Sequence, residues 1–185
     1  VLKAQAKTGD LIECYRKILE IKPDYAEIYN SLGISLKATG KIDEAVECYQ
    51  KVLEIRPQYA EAHINMGNAL KIKGEREDAV VNYKKALEIR PDYAEAYNNM
   101  GAVLEEMGKS DEAVESYRKA LELKPGYAEA CHNVGNILKN KGNLDEAIEY
   151  YQKTVEINPN YAEAYNSLGI ALKEQGKYDE AIESY

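Results

Sequence analysis

Phenylalanine and tryptophan are absent from this 185-residue chain, histidine occurs twice, cysteine three times and proline five times. Each shortage narrows the range of function. Tyrosine is the only aromatic, with 16 copies, and most recur at one fixed step. They read as core and junction residues, not as a platform for stacking bases. Basic residues are outnumbered, 24 against 32 acidic, for a net charge of -8. An acidic chain lacks the clustered Lys and Arg that phosphate backbones require, so no nucleic-acid partner is expected. No apolar run approaches the ~20 residues of a membrane helix, so no membrane partner is expected either. Cys14 and Cys48 fall one repeat apart on the same helix face. Packed helix axes lie ~8–10 Å apart, whereas a disulfide needs Cα atoms within ~7 Å. Three free thiols suit a reducing compartment, and a cytoplasmic location is the expectation.

Chemistry-bearing sets are missing as well. His63 and Cys131 occupy equivalent slots two repeats apart, too distant for one metal. They read as packing residues in an aromatic position. No Ser/His/Asp or Cys/His group converges, no carboxylate pair marks a cleft, and the glycines are not spaced as a phosphate loop. The expectation is a non-enzyme with no catalytic residue, no metal and no cofactor.

What is present is a period. Pro23, Pro57, Pro91, Pro125 and Pro159 lie 34 residues apart. Tyr25, Tyr59, Tyr93, Tyr127 and Tyr161 keep the step, as do Gly33, Gly67, Gly101, Gly135 and Gly169, and Gly40, Gly74, Gly108, Gly142 and Gly176. A fixed period of this length means one unit copied along a line. The period divides 1–185 into a single array: a partial repeat 1–25, full repeats 26–59, 60–93, 94–127 and 128–161, and a partial repeat 162–185. Each unit reads as two helices, in the second full repeat Ala60 to Lys73 and Glu77 to Arg90. Gly74 and its equivalents end the first helix in the left-handed conformation. Acidic pairs such as Asp43-Glu44 open the second at the positive end of its dipole. The prolines stop it. Asp24-x-x-Glu27, Asp92-x-x-Glu95 and Asn160-x-x-Glu163 have the form of capping boxes. Glu47/Lys51, Glu115/Lys119 and Glu149/Lys153 have the form of i,i+4 pairs. Residues 6–11 depart from the pattern: Ala6 holds the turn-glycine slot, Gly9 is out of phase and Leu11 replaces a small Ala, so that turn is altered. One hairpin cannot bury its apolar face alone, and stacking gives an all-α solenoid of antiparallel helix pairs.

The set Tyr97, Met100-Gly101, Leu104, Ala113, Tyr117, Ala120 and Pro125 resembles the tetratricopeptide repeat (TPR) family over essentially the whole chain. The resemblance implies a right-handed superhelix whose first helices line a concave groove, and a groove that holds a peptide or a partner protein segment. The style is closest to the TPR region of O-linked N-acetylglucosamine transferase.

The groove slots are polar. Asn65, Asn99 and Asn133 form one row, with Asn30, Asn98 and Asn166 one residue earlier in their repeats and Asn68 and Asn136 three residues after the row. A carboxamide both donates and accepts, so it can pair with a peptide backbone. Rungs ~10 Å apart match three residues of an extended chain at ~3.3 Å each. The alternative is that these side chains satisfy neighbouring helix groups. Glu27, Glu61, Glu95, Glu129 and Glu163 form a second row, read as capping partners. Lys37, Lys71, Lys139 and Lys173 form a third, suited to the C-terminal dipole or to acidic ligand side chains, with Glu105-Glu106 as a break in it. His132, beside Asn133, is a further candidate contact. The expected binding set is therefore Asn30, Asn65, Asn68, Asn98, Asn99, Asn133, Asn136, Asn166, His132, Lys71 and Lys139.

Two functions compete. One is a scaffold that binds an extended protein segment. The other is the substrate-recognition arm of a larger glycosyltransferase-like enzyme whose catalytic domain lies outside the chain. Val1 falls within a first helix and Tyr185 within a second, so a fragment of a longer array is expected, with end-to-end self-association through uncapped repeats.

Overall fold

Every first helix starts on an alanine one step after the last: α2 Ala26–Ala38, α4 Ala60–Lys73, α6 Ala94–Glu106, α8 Ala128–Asn140 and α10 Ala162–Glu174. The second helices are α3 Ile42–Ile55, α5 Arg76–Ile89, α7 Ser110–Leu123, α9 Leu144–Ile157 and α11 Tyr178–Ser184, and α1 spans Leu2–Ile21. This computed structural model describes residues 2–185, with side chains from Thr8 onward. Among the described residues there is no strand. The chain divides into two compact units, one ending at Asp92 and one beginning at Tyr93. In the first, α1 packs on α2, α2 pairs with α3, α3 packs on α4 and α4 pairs with α5. In the second, α6–α7, α8–α9 and α10–α11 are the pairs, joined by α7 on α8 and α9 on α10. Each unit is thus a stack of antiparallel helix pairs, the α-solenoid arrangement.

The turn between paired helices follows from one glycine. Gly40, Gly74, Gly108, Gly142 and Gly176 all have φ between 74° and 83°. The residue after each returns its amide to a leucine carbonyl five residues back, as in Lys41 to Leu36 at 2.9 Å and Asn143 to Leu138 at 2.9 Å. That bond closes a Schellman motif and satisfies the orphan carbonyls of the helix end. The first repeat lacks the glycine. Ala6 stands in its slot, its side chain outside the described residues, and the backbone there continues without a turn. The altered turn is an absent one: α1 is a single helix of 20 residues.

The predicted capping boxes do not form. The helices start two residues after Asp24, Asp92 and Asn160, the N-cap positions are Tyr25, Tyr93 and Tyr161, and none carries a side-chain cap bond. The tight turn after each proline places the Asp or Asn one position too early. The glutamates go elsewhere: Glu27 receives Arg56, and Glu61 receives Arg90 at 2.8 Å. The predicted Glu47/Lys51 and Glu115/Lys119 pairs are replaced. Lys51 and Lys119 turn three residues forward, to Glu54 at 2.6 Å and Glu122 at 2.7 Å.

The core of each pair is a tyrosine on a glycine. Tyr49, Tyr83, Tyr117 and Tyr151 are fully buried. Their rings lie so close to Gly33, Gly67, Gly101 and Gly135 that a Cβ there would sit 2.6–2.8 Å from a ring carbon. Small residues on the facing helix, Ala45, Ala79, Ala113 and Ala147, let the helices approach. Tyr185 rests on Gly169 in the same way but is largely exposed, and Tyr178 and Ile182 beside it are exposed too.

Candidate functional site

One side of each first helix gathers the candidate binding residues. On α6 it carries Glu95, Asn98, Asn99, Ala102 and Glu105, spaced three, four and seven residues apart. On α8 the same slots hold Glu129, His132, Asn133, Asn136 and Lys139, and on α10 Glu163, Asn166, Ser167, Ile170 and Lys173. In the first unit α2 and α4 supply Asn30, Ser31, Ile34 and Lys37, and Ile64, Asn65, Asn68 and Lys71.

These residues are tied to one another. Asn65 Nδ2 donates to Asn30 Oδ1 at 3.0 Å, linking α4 to α2. Asn65 and Asn30 are both half-buried. The bond uses one donor and one acceptor and leaves Asn30 Nδ2 and Asn65 Oδ1 for a further partner. In the second unit the corresponding tie joins His132 to Ser167, Nε2 to Oγ at 3.1 Å. His132 is only 9% exposed and sits between the rings of Tyr151 and Tyr161, at centroid distances of 5.7 and 5.1 Å. Burial lowers its pKa, Glu163 acts weakly against that and Lys139 with it. His132 is therefore a packed neutral ring that presents little surface.

Asn98 is 1% exposed and donates to Glu129 Oε1 at 3.3 Å, while its Oδ1 is buried without a partner. Asn99 and Asn133 are half-buried, and Asn166 is exposed. Asn133 lies against the Tyr117 hydroxyl. Lys71 and Lys139 are half-buried.

Beneath this face lies a layer of tyrosine hydroxyls that sequence reading does not reveal. Tyr83 OH donates to Asn68 Oδ1 at 2.7 Å and Tyr151 OH to Asn136 Oδ1 at 2.8 Å. In the repeat between, the asparagine slot holds Ala102, and Tyr117 OH donates instead to Glu105 Oε2 at 3.1 Å. In the first full repeat the slot holds Ile34, and Tyr49 OH is buried with no partner. The signal was available as an Asn fifteen residues before a core Tyr, kept in two repeats and lost in the others. Burial raises the pKa of Tyr49, Tyr117 and Tyr151, that of Tyr151 to about 12.

His63 lies away from this face. It is buried in the aromatic slot, with Nδ1 3.1 Å from Asn82 Oδ1 and Nε2 3.2 Å from the Pro57 carbonyl. It borders a cavity of about 470 Å³ on the second-helix side, with Leu53, Gln58 and Lys85. Cys14 is exposed, Cys48 and Cys131 are buried, and all three are free. Burial pushes the Cys48 thiol up to about 11. Among the described residues no group of three or more His, Cys, Asp or Glu could hold a metal, and no helix is long and apolar enough to cross a membrane.

Stacked helix pairs with a polar face on each first helix define a repeat scaffold for protein interaction. A family model described as TPR repeat matches residues 35–74, 67–108 and 135–176, and tetratricopeptide repeat models match 94–127, 14–47 and 116–149. The solved structure of the MamA protein is 31% identical, covers 86% of this chain and 87% of its own, and has a TM-score of 0.77. YrrB, described as a TPR protein with an unusual peptide-binding site, is 25% identical over 94% of this chain and 89% of its own, with a TM-score of 0.75. Pseudomonas aeruginosa pilF is 26% identical over 86% of this chain and 73% of its own, with a TM-score of 0.80. No curated protein gives a significant match. The chain belongs to the tetratricopeptide repeat family.

Proposed function

We propose that this protein binds an extended peptide or partner segment along the polar faces of its first helices, with the asparagines holding the peptide backbone. The observation that carries this reading is the Asn30–Asn65 pair. The bond between the two amides orients both and leaves Asn30 Nδ2 as a donor and Asn65 Oδ1 as an acceptor. A peptide unit offers the complementary acceptor and donor. Asn136 adds a donor on α8, since its Oδ1 is engaged by Tyr151 and its Nδ2 is not. The peptide-binding site described for the relative YrrB adds support.

Magnitudes set the expected strength. Two backbone hydrogen bonds at a net ~0.5–1.5 kcal/mol each supply ~1–3 kcal/mol. A handful of such bonds, less the cost of ordering the peptide, gives affinities on the order of micromolar. The test selects peptides against the wild-type protein from a displayed library and measures their affinity for N30A/N65A by fluorescence anisotropy. Affinity falls about tenfold with an unchanged melting temperature if the pair holds backbone. An unchanged affinity in a folded variant removes the pair from the site.

A further inference from the structure

Resting on that reading, we infer that the face of α6, α8 and α10 selects a segment carrying a basic residue and an acidic residue about three positions apart, the basic one held by Glu105 and the acidic one by Lys139.

Three observations converge. First, Glu105 is built in. Where α4 carries Asn68 with Lys71 and α8 carries Asn136 with Lys139, α6 carries Ala102 with Glu105. Losing the asparagine would strand the hydroxyl of fully buried Tyr117, and Glu105 Oε2 takes it at 3.1 Å. That bond fixes the carboxylate and leaves its other oxygen for a ligand. Second, the charge is unanswered. Among the described residues, Glu105 has no cationic partner, and Lys139, at the same slot of the next first helix, has no anionic one. The two do not pair with each other, so neighbouring rungs present opposite, unneutralised charges. Third, there is room. Ala102, one turn before Glu105, is half-buried and small, so the stem of a Lys or Arg can lie across it with its head at the carboxylate. Neighbouring helices lie ~10 Å apart and an extended chain advances ~3.3 Å per residue, which sets the spacing of about three residues.

The experiment uses five fluorescein-labelled twelve-residue peptides of Ser, Thr and Ala with blocked ends. Two carry Lys-x-x-Glu or Glu-x-x-Lys at the centre, one Glu-x-x-Glu, one Lys-x-x-Lys, and one no charge. Wild type binds the better mixed peptide about fivefold tighter than either like-charged one, and raising salt from 0.05 to 0.5 M erases the gap, as screening requires. Glu105→Gln keeps an acceptor for Tyr117, so its melting temperature holds, yet the gap between mixed and acidic peptides shrinks below twofold. Glu105→Lys makes Glu-x-x-Glu the tightest. If the wild-type ranking persists in Glu105→Gln, the charge inference is overturned while groove binding stands. If no peptide binds wild type, including the uncharged one, the groove reading fails and this inference with it.

Discussion

At the scale of the residue, the four core tyrosines form a natural experiment. Their rings are equivalent and their hydroxyls are not. Tyr83 and Tyr151 donate to asparagines, whereas Tyr49 is buried unpaired. Removing an unpaired buried hydroxyl relieves a desolvation cost, while removing a paired one strands its acceptor. Tyr49→Phe is therefore neutral or stabilising by up to ~1 kcal/mol, and Tyr151→Phe destabilises by ~1 kcal/mol; urea denaturation of both variants checks the contrast. The glycines under the rings make a second pair. A Cβ at Gly101 would meet Tyr117 at 2.8 Å, and one at Gly169 would meet Tyr185 at 2.8 Å. The distance is the same, but Tyr117 is locked in the core and Tyr185 is free to swing outward. Gly101→Ala loses ~1–3 kcal/mol to overpacking, less the ~1 kcal/mol helix preference of Ala. Gly169→Ala keeps that preference and is neutral or stabilising in the same assay. Titration follows the same burial. The folded pKa of Tyr151 is raised to about 12 from an ordinary 10.0, so its contribution is intact below pH 10 and lost as pH rises toward 12. His132 is shifted the other way: its contribution is intact above its ordinary 6.5 and lost as pH falls below that. Stability measured against pH declines on both sides, and Tyr151→Phe flattens the alkaline limb.

At the scale of the element, the helices were legible because their stops are single residues with one physical meaning each. A glycine in the left-handed region and a proline after the second helix leave few other arrangements. Gly142 has φ 83° with open space around its missing Cβ, so Gly142→Ala carries a backbone cost alone, ~1 kcal/mol. Gly126 lies in an equally open turn without a positive φ, and Gly126→Ala stabilises by ~0.4–1 kcal/mol. Thermal melts of the two single variants should therefore move in opposite directions. Helix starts were less legible. Asp24 and Asp92 fit a capping pattern by spacing, but a side chain caps only from the position next to the helix, which here is tyrosine. The candidate site was legible as a set of slots and not as a set of bonds. The period places Asn65, Asn133 and His132 on one side of their helices. It does not reveal that His132 is buried between two rings, that Asn98 is enclosed, or that Asn30 and Asn65 bind each other. Those facts depend on contacts between helices, from His132 with Tyr151 to Asn30 with Asn65, where a step of one slot changes the partner.

At the scale of the molecule, the repeats divide the work. Proline, turn glycine, core tyrosine and small alanine recur because each pair must stack in the same way, and they account for the family likeness. The open faces carry departures of their own: Ile34, Asn68, Ala102 and Asn136 in one slot, and Lys37, Lys71, Glu105 and Lys139 in another. A scaffold that serves one partner needs its variation there, since a change at the stacking positions alters stability without altering recognition. The central claim is that the first-helix faces, and not the second-helix side with its cavity beside His63, hold the ligand. Asparagine side-chain amides give separate signals in a heteronuclear NMR spectrum, so the two sides can be read at once. Titration of a selected peptide should shift the amide resonances of Asn30, Asn65, Asn133 and Asn136 and leave that of Asn82 in place. Shifts centred on Asn82, with the first-helix asparagines unmoved, would contradict the account.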